Sequence, residues 1–189
     1  MAHLGNGVEY GLHCLLWLVN SQGDPASSRD LAEFQGISAS FLAKIFPKLE
    51  KAGIVLSSEG IRGGYRLARA PQQITVLDVV DAIEGNKSLF DCQEIRSRCA
   101  LFGDRVPGWA TDGVCAIHAV MLRAEKRMRE ELAATTLADL AGVLGGKMPA
   151  TMPDQVRSWL SDRSTARMSG TQGAPQRRRR RASPTNQAS

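Results

Sequence analysis

Two short apolar runs joined by a glycine-rich turn constrain the fold of this chain more than any other feature. The runs are "IVLSS" at 54–58 and "GYRLA" at 64–68, and "EGIRG" joins them. Strand-like runs connected by a short glycine-containing loop are typical of a β-hairpin. A phosphate-binding loop is excluded because the chain has neither G-x-x-x-x-G-K-[ST] nor a G-x-G-x-x-G that opens a helix after a strand. The hairpin would carry Arg62 at its tip.

Two short helices are predicted before the hairpin. Ser27 or Ser28 can cap "SRDLAEFQ", which Gly36 ends, and Ser38 can cap "SASFLAKIFPKLEKAG". One apolar face of the second helix is formed by Phe41, Leu42, Ile45 and Leu49. A helix-turn-helix followed at once by a hairpin is a winged helix. The predicted fold class is therefore mainly α with a small β-hairpin, to which a long dimerisation helix is added below.

That long helix is predicted from Asp112 to about Ala134. Its apolar residues alternate steps of three and four, the spacing of a coiled-coil seam: Val114, Ile117, Met121, Ala124 and Met128. On an isolated helix this seam would be exposed to water, so we expect self-association. The helix "TVLDVVDAIEG", capped by Thr75, precedes it along the chain.

These elements divide the chain into four parts. We expect a winged-helix DNA-binding domain at 1–85, a cysteine-containing loop at 86–111, and a dimerisation helix with a short following helix at 112–145. Residues 146–189 are expected to form a mostly disordered basic tail, with at most a short helix around Val156.

The charge of the chain is concentrated in that tail. The formal net charge is +5, and Arg177–Arg181 alone contribute five positive charges, so the remainder is close to neutral. A case for nucleic-acid binding must therefore rest on local clusters. The arginine run either strengthens DNA binding through counterion release or is a solvated segment without a role.

No apolar run approaches the roughly 18 residues of a membrane span. The N-terminus lacks the basic patch and apolar core of a secretory signal. We therefore expect a cytoplasmic protein without membrane contact, in which thiols are kept reduced.

Three segments carry a specific family resemblance. "SFLAKIFPKLEKAGIV", "GIRGGYRLARAP" and "ITVLDVVDAIEG" follow one another, and this order resembles the bacterial winged-helix regulators that include the iron–sulfur regulator IscR and the nitric-oxide sensor NsrR. The resemblance covers roughly residues 4–135. It implies a homodimer that clamps double-stranded DNA with two winged helices, dimerises through the long helix and, in many members, carries an iron–sulfur cluster on three cysteines.

The residues expected to read DNA lie at the start of the second helix. Ser38, Ser40 and Lys44 are placed to reach base edges in the major groove, and Phe41 can contact a thymine methyl group. The alternative is that the lysines form a solvated face and Ser38 only caps its helix.

Lys48 and Arg62 are expected to contact the DNA backbone, or in the case of Arg62 the minor groove. Pro47 complicates this expectation because a proline inside a helix removes a hydrogen bond and usually kinks the helix. The reading portion of the helix could then end before Lys48.

Cys92, Cys99 and Cys115 bracket the loop, and His118 follows Cys115 by three residues. Three thiolates and an imidazole suffice to hold an iron–sulfur cluster; [2Fe–2S] is the first choice and [4Fe–4S] the other. "CAIH" resembles the Cys-x-x-His of the IscR branch, whereas resemblance to the NsrR branch implies Glu9 as the fourth ligand. The wide second gap, C-x15-C, departs from the tighter triplets of the family.

Other roles for the cysteines stay open. They can be unligated, two of them can form a redox disulfide, or the set can hold zinc. Cys14, inside an apolar helix, is interpreted as a buried core residue.

The wing and the cysteines together predict a homodimeric transcription regulator, a repressor in the first instance, that senses redox state, nitric oxide or iron through its cluster. The alternatives are a cluster-free thiol-redox regulator and a winged-helix module for protein interaction. An enzyme is disfavoured because no Ser/His/Asp set and no paired carboxylates in an evident cleft are found.

Overall fold

A computed structural model describes residues 4–21, 23–60 and 63–168 of the chain. The winged-helix half is built from α1 (Asn6–Asn20), α2 (Ser28–Gln35), α3 (Ala39–Lys51), β1 (Val55–Ser58), β2 (Gly64–Leu67) and α4 (Val76–Glu84). The remainder holds α5 (Gly108–Thr111), α6 (Ala116–Ala134), α7 (Leu137–Gly145) and α8 (Met152–Met168). Short 3₁₀ turns lie at Pro71–Gln73, Ile95–Arg98 and Ala100–Phe102. The predicted fold class is confirmed.

The helix-turn-helix forms because its ends are capped by local residues. Ser27 Oγ accepts a hydrogen bond from the backbone N–H of Asp30 at 3.1 Å, which fixes the start of α2. Gly36 ends α2 in the left-handed region, with φ at 69°. Ser38 caps α3 and accepts from the backbone N–H of Phe41 at 3.4 Å.

The predicted hairpin is present and is joined to the helix-turn-helix. β1 and β2 pair antiparallel, from Val55 opposite Leu67 to Ser58 opposite Gly64. The segment before α2 pairs with the outer side of the hairpin: Ala26 N–H donates to Tyr65 O at 3.0 Å, and Tyr65 N–H donates to Ala26 O at 2.8 Å. The tip half of β2 is therefore held against the segment before α2.

The core of the winged helix lies between α1, α2, α3 and α4. From α3 it receives four fully or almost fully buried side chains, namely Leu42, Ile45, Phe46 and Leu49. Phe41, which the sequence groups with this face, lies at its edge and is 40% exposed. Pro47 does not end α3, which continues to Lys51.

Helix α4 joins the winged helix to the rest of the molecule. Thr75 and Asp78 form a reciprocal capping box at its start, as two hydrogen bonds of 3.0 Å. Arg129 of α6 binds the carboxylate of Asp81 with two nitrogens, at 2.9 and 2.7 Å. This bidentate ion pair fixes the position of α6 against α4.

The long helix begins later than the sequence predicts. The expected start is Asp112, whereas α6 begins at Ala116 and Cys115 is its N-cap residue. Gly113 has a φ of 62°, which interrupts the helix. The loop 86–111 is also less irregular than expected, since it contains α5 and two 3₁₀ turns.

The C-terminal region departs further from expectation. The sequence predicts at most a short helix around Val156, whereas α8 has 17 residues and packs against α1. Residues 169–189, including Arg177–Arg181, lie outside the described residues. In the part that the structure describes, no helix is long and apolar enough to cross a membrane.

Candidate nucleic-acid interface and cysteine region

Four predicted DNA-binding residues lie together at the exposed start of α3. The hydroxyl oxygens of Ser38 and Ser40 are 2.9 Å apart, so each can donate to the other until a ligand competes. Lys44 is exposed one turn later. Phe41 stands on the same surface and contacts Tyr10 of α1 edge to face, with ring centroids 5.6 Å apart. We call these four predicted residues, with Asn6 and Tyr10, the reading surface.

Asn6 and Tyr10 were not expected in this surface. Both belong to the first turns of α1, and they line a shallow groove of about 390 Å³ with the predicted residues of α3. An amide and a phenol add hydrogen-bonding groups of the kind used on base edges and phosphates. They are about 30 positions away along the chain, so no local pattern marks them.

Lys48 has a structural partner. Its amine donates to the backbone carbonyl of Ile83 at 2.7 Å, in the last turn of α4. A lysine there satisfies one of the carbonyls that a helix end leaves unpaired and complements the negative end of the helix dipole. The phosphate contact predicted for Lys48 remains a prediction, and it competes with this bond.

The arginines of the wing divide by environment. Arg62 lies outside the described residues. Arg66 is exposed on β2. Arg69 is also exposed but is bound within the fold, because it donates to the carbonyls of Gly53 and Gln73, each at 3.1 Å.

Three cysteines and His118 stand in the loop and at the start of α6. Cys92 and Cys115 are half-buried and Cys99 is exposed, and all are free thiols. In residues 4–21, 23–60 and 63–168, no group of three or more His, Cys, Asp or Glu is placed to hold a metal ion. Glu9, the rival ligand, lies on α1 beside an apolar groove with Leu140 of α7. The described conformation therefore does not gather the predicted ligands.

Arg96 binds the backbone of the residues that immediately precede Cys115. Its guanidinium donates to the carbonyl of Gly113 at 3.0 Å and to that of Asp112 at 3.3 Å, and it binds the Glu94 carboxylate at 2.8 Å. Hydrogen bonding to Arg96 lowers the pKa of Glu94. A positive charge is thus held next to the N-terminus of α6.

The cysteines differ in reactivity. The Cys115 thiol makes no capping hydrogen bond of normal geometry, yet the nearby backbone N–H groups of His118 and Ile117, and more weakly Arg96, lower its pKa. Burial raises the pKa of Cys14 to about 12. The lowered pKa makes the thiolate, which is the nucleophilic and metal-binding form, more accessible to Cys115 than to an ordinary cysteine, whereas burial disfavours it for Cys14.

The donor types in the loop suit an iron–sulfur cluster, because soft thiolates and imidazole are its usual ligands. In the described conformation, however, the three cysteines and His118 are not close enough together to hold a metal ion. Cluster binding would require the loop 86–111 to bring these ligands together.

A capped helix-turn-helix, a wing tied to it and a polar surface on the second helix define a winged-helix DNA-binding protein. Comparison with known proteins gives the family. Residues 4–142 match the model of the Rrf2 family, described as an iron-dependent transcriptional regulator. The chain belongs to the Rrf2 family of transcription regulators.

Relatives and solved structures agree with this assignment. The protein Rrf2 of Nitratidesulfovibrio vulgaris is 36% identical over 132 residues, which cover 69% of this chain and 81% of that protein. The structure of CymR, the global cysteine regulator of B. subtilis, is similar with a TM-score of 0.59 and 28% identity, covering 76% of this chain and 98% of that one. The structure of T. potens IscR gives 0.57 and 28%, covering 78% and 92%.

Proposed function

We propose that this protein is a homodimeric, sequence-specific DNA-binding regulator that reads its operator with the reading surface of α3 and α1. The observation that supports this most directly is the exposed cluster of Ser38, Ser40, Phe41 and Lys44 on the second helix of a capped helix-turn-helix. Such a helix enters the major groove with its N-terminal residues toward base edges.

The long helix supports a dimer. Ile117 and Val120, one turn apart on α6, are 63% and 51% exposed, and Val114, just before the helix, is 65% exposed. Exposed apolar side chains at this spacing favour packing against a second helix. Met121 and Met128, which belong to the predicted seam, are half-buried on the side of α6 that carries Arg129. The exposed apolar surface of α6 therefore differs from the predicted seam, because it includes Val120 in place of these two methionines.

Lys44→Ala is expected to lower affinity for the operator by about 10- to 100-fold, because one lost base contact costs about 1–3 kcal/mol. The operator is first obtained by selecting a random duplex library with the wild-type protein. Binding is then measured by fluorescence anisotropy on that duplex and on a scrambled one.

Lys51→Ala is the matched control for Lys44→Ala. Lys51 is an exposed lysine of the same helix, seven residues further on, about 10 Å along its axis. It should leave discrimination between the two duplexes unchanged. Wild-type discrimination by Lys44→Ala would mean that Lys44 does not read base edges.

Within this function we further propose that the cysteine loop carries the signal by binding an iron–sulfur cluster on Cys92, Cys99 and Cys115, with His118 or Glu9 as fourth ligand. The lowered pKa of Cys115 and the donor set support the proposal. Closure of the loop would act on the first turn of α6 and so on the dimer.

Anaerobic purification and reconstitution are expected to give a brown wild-type protein with bound iron and sulfide, and Cys99→Ala is expected to lose both. Cys14→Ala is the control, since Cys14 is fully buried in α1 and should leave the iron content unchanged. A wild-type protein that stays colourless and free of iron after reconstitution contradicts the cluster.

A thiol switch is the second candidate, favoured by the exposure of Cys99 and the lowered pKa of Cys115. Peroxide would take two electrons and two protons from a pair of thiols and leave as water, forming Cys92–Cys99 or Cys99–Cys115. Mass spectrometry of the oxidised, iron-free protein decides whether such a bridge forms.

A further inference from the structure

We propose that the end of α8 and the start of α2 together form a surface that binds the phosphate backbone of the duplex, and that Arg163 and Arg167 make this surface positive. The proposal rests on the DNA binding proposed above and adds a contact outside the reading surface. Helix α8 lies wholly after residue 142, where the match to the Rrf2 family ends. The family match therefore assigns no role to it.

Apolar contacts dock α8 on the first two helices. Val156 and Leu160 are 1% and 9% exposed and belong to the main core. Trp159 packs edge to face on Phe34 of α2, with ring centroids 5.2 Å apart, and Phe34 packs in the same way on Trp17 of α1 at 5.1 Å. Helix α8 is therefore packed as part of the winged-helix core.

Ion pairs join the C-terminal half of α8 to the start of α2. Asp30, only 4% exposed, binds Arg167 directly and lies 3.7 Å from Nε of Arg163. It also accepts a hydrogen bond from the Ser27 hydroxyl at 2.7 Å, and Arg163 pairs with Glu33 as well. Because a buried carboxylate is costly without its cationic partners, these pairs place the end of α8 at the first turn of α2.

Helix α8 reverses the sign of the charge at the start of α2. On α2 itself, the carboxylates of Asp30 and Glu33 outnumber the one guanidinium of exposed Arg29, and this surface would repel phosphates. With Arg163 and Arg167 added, three guanidinium groups face two carboxylates. The side chains of these two arginines are still 30% and 31% exposed. A guanidinium has five N–H donors, so each keeps donors for a phosphate while it binds a carboxylate.

The first turn of α2 is on the DNA side of a helix-turn-helix, because the first helix crosses the phosphate backbone when the second lies in the major groove. The described contacts agree with this placement. Ala26, just before α2, exchanges two backbone hydrogen bonds with Tyr65 of the wing. We therefore expect Arg29, Arg163 and Arg167, here called the phosphate surface, to lie along the path of the duplex.

Replacing the two arginines of α8 tests the proposal. Arg163→Gln with Arg167→Gln in the full-length chain is expected to lower affinity about 10-fold at low salt, and equally for operator and scrambled duplexes, because phosphate contacts carry no base information. Each lost phosphate contact reduces the slope of log affinity against log salt concentration by about 0.9. The slope should therefore become less steep by about 1–2, whereas a loss caused only by a looser fold would leave it unchanged.

Adding Asp30→Asn to this double variant separates phosphate binding from folding. The double variant leaves a buried carboxylate without its cations and should lower the midpoint of urea unfolding. Asparagine removes that charge, so the triple variant should regain most of the stability. It should regain only part of the affinity, because both guanidinium groups of α8 are still absent. Full recovery of stability and affinity would mean that α8 only supports the fold, and it would overturn the inference.

Arg157→Gln is the matched control, because it removes a guanidinium from the same helix at a distance from α2. Arg157 donates to the carbonyl of Asn20 at 3.4 Å and pairs with the exposed Asp154. It precedes Arg163 by six residues, about 9 Å along the helix axis. This variant should keep the wild-type salt slope. A slope as shallow as that of the double variant would point to net charge in general and contradict a local phosphate surface.

The outcomes distinguish this inference from the proposed function. If the double variant keeps the wild-type affinity and slope while Lys44→Ala loses operator preference, the inference is overturned and α3 still reads DNA. If the double variant loses affinity and slope as expected while Lys44→Ala discriminates normally, the phosphate surface stands without Lys44 readout. If the wild-type protein binds neither duplex, the proposed function fails, and the inference fails with it.

Discussion

Gly64→Ala is expected to lower the free energy of unfolding by about 2–4 kcal/mol and to abolish operator binding. A Cβ atom at Gly64 would lie 2.5 Å from the carbonyl carbon of Ala26 and 2.6 Å from its oxygen. Both are backbone atoms, so the strand and the segment before α2 must separate. Separation strains the packing and weakens the two hydrogen bonds between Ala26 and Tyr65. Urea unfolding and the anisotropy assay measure the two effects.

Gly142→Ala is the control for this substitution. Gly142 lies within α7, and a Cβ atom there meets nothing within 4 Å. Alanine at an open helical position is expected to raise stability by about 0.5–1 kcal/mol. Wild-type stability and operator affinity in Gly64→Ala would mean that the wing does not pass so close to α2.

Phe46→Ala is expected to lower the free energy of unfolding by about 3–5 kcal/mol. Phe46 is fully buried and its ring centroid lies 4.6 Å from that of Tyr65, so it fills the space between α3 and the wing. Since small domains are stable by about 5–15 kcal/mol, a large part of the stability would be lost. The midpoint of urea unfolding measures it.

Phe41→Ala provides the matched comparison on the same helix. Phe41 is 40% exposed and contacts Tyr10 within the reading surface. We expect a loss of stability of about 1 kcal/mol or less, together with weaker operator binding. Equal losses of stability for the two phenylalanines would contradict the burial described for α3.

These two phenylalanines also show where sequence reasoning stops. The apolar stripe of α3 contains Leu42, Ile45 and Leu49, and Phe41 and Phe46 border it on opposite sides. Periodicity does not decide which border is buried. Tertiary partners decide it, because the wing covers Phe46 through Tyr65 while α1 covers Phe41 only in part.

Features set by nearby residues were predicted well. Capping by Ser38 and Thr75, the left-handed end of α2 at Gly36 and the hairpin each depend on a few adjacent residues, and each is confirmed. The start of the long helix was wrong by four residues because the effect of Gly113 was not recognised.

Helix α8 was underestimated for a different reason. Its sequence has few apolar residues, and Val156, Trp159 and Leu160 indicate only a short contact. Much of what holds the helix comes from Arg163 and Arg167 pairing with Asp30, more than 130 positions earlier. Charged residues predict solvent exposure unless the partner is known.

The last turns of α4 tie the orientation of the long helix to that of the reading helix. Arg129 of α6 forms a bidentate ion pair with Asp81. Two residues later, the carbonyl of Ile83 accepts a hydrogen bond from the amine of Lys48 in α3. Asp81 and Ile83 lie within one turn of α4 and move together. A tilt of α6 that displaces Asp81 therefore also displaces the carbonyl of Ile83, to which Lys48 of α3 is hydrogen-bonded. The two helices of one subunit are therefore expected to reorient together. In the homodimer proposed above, the distance between the two copies of α3 would then depend on the angle at which the two copies of α6 cross.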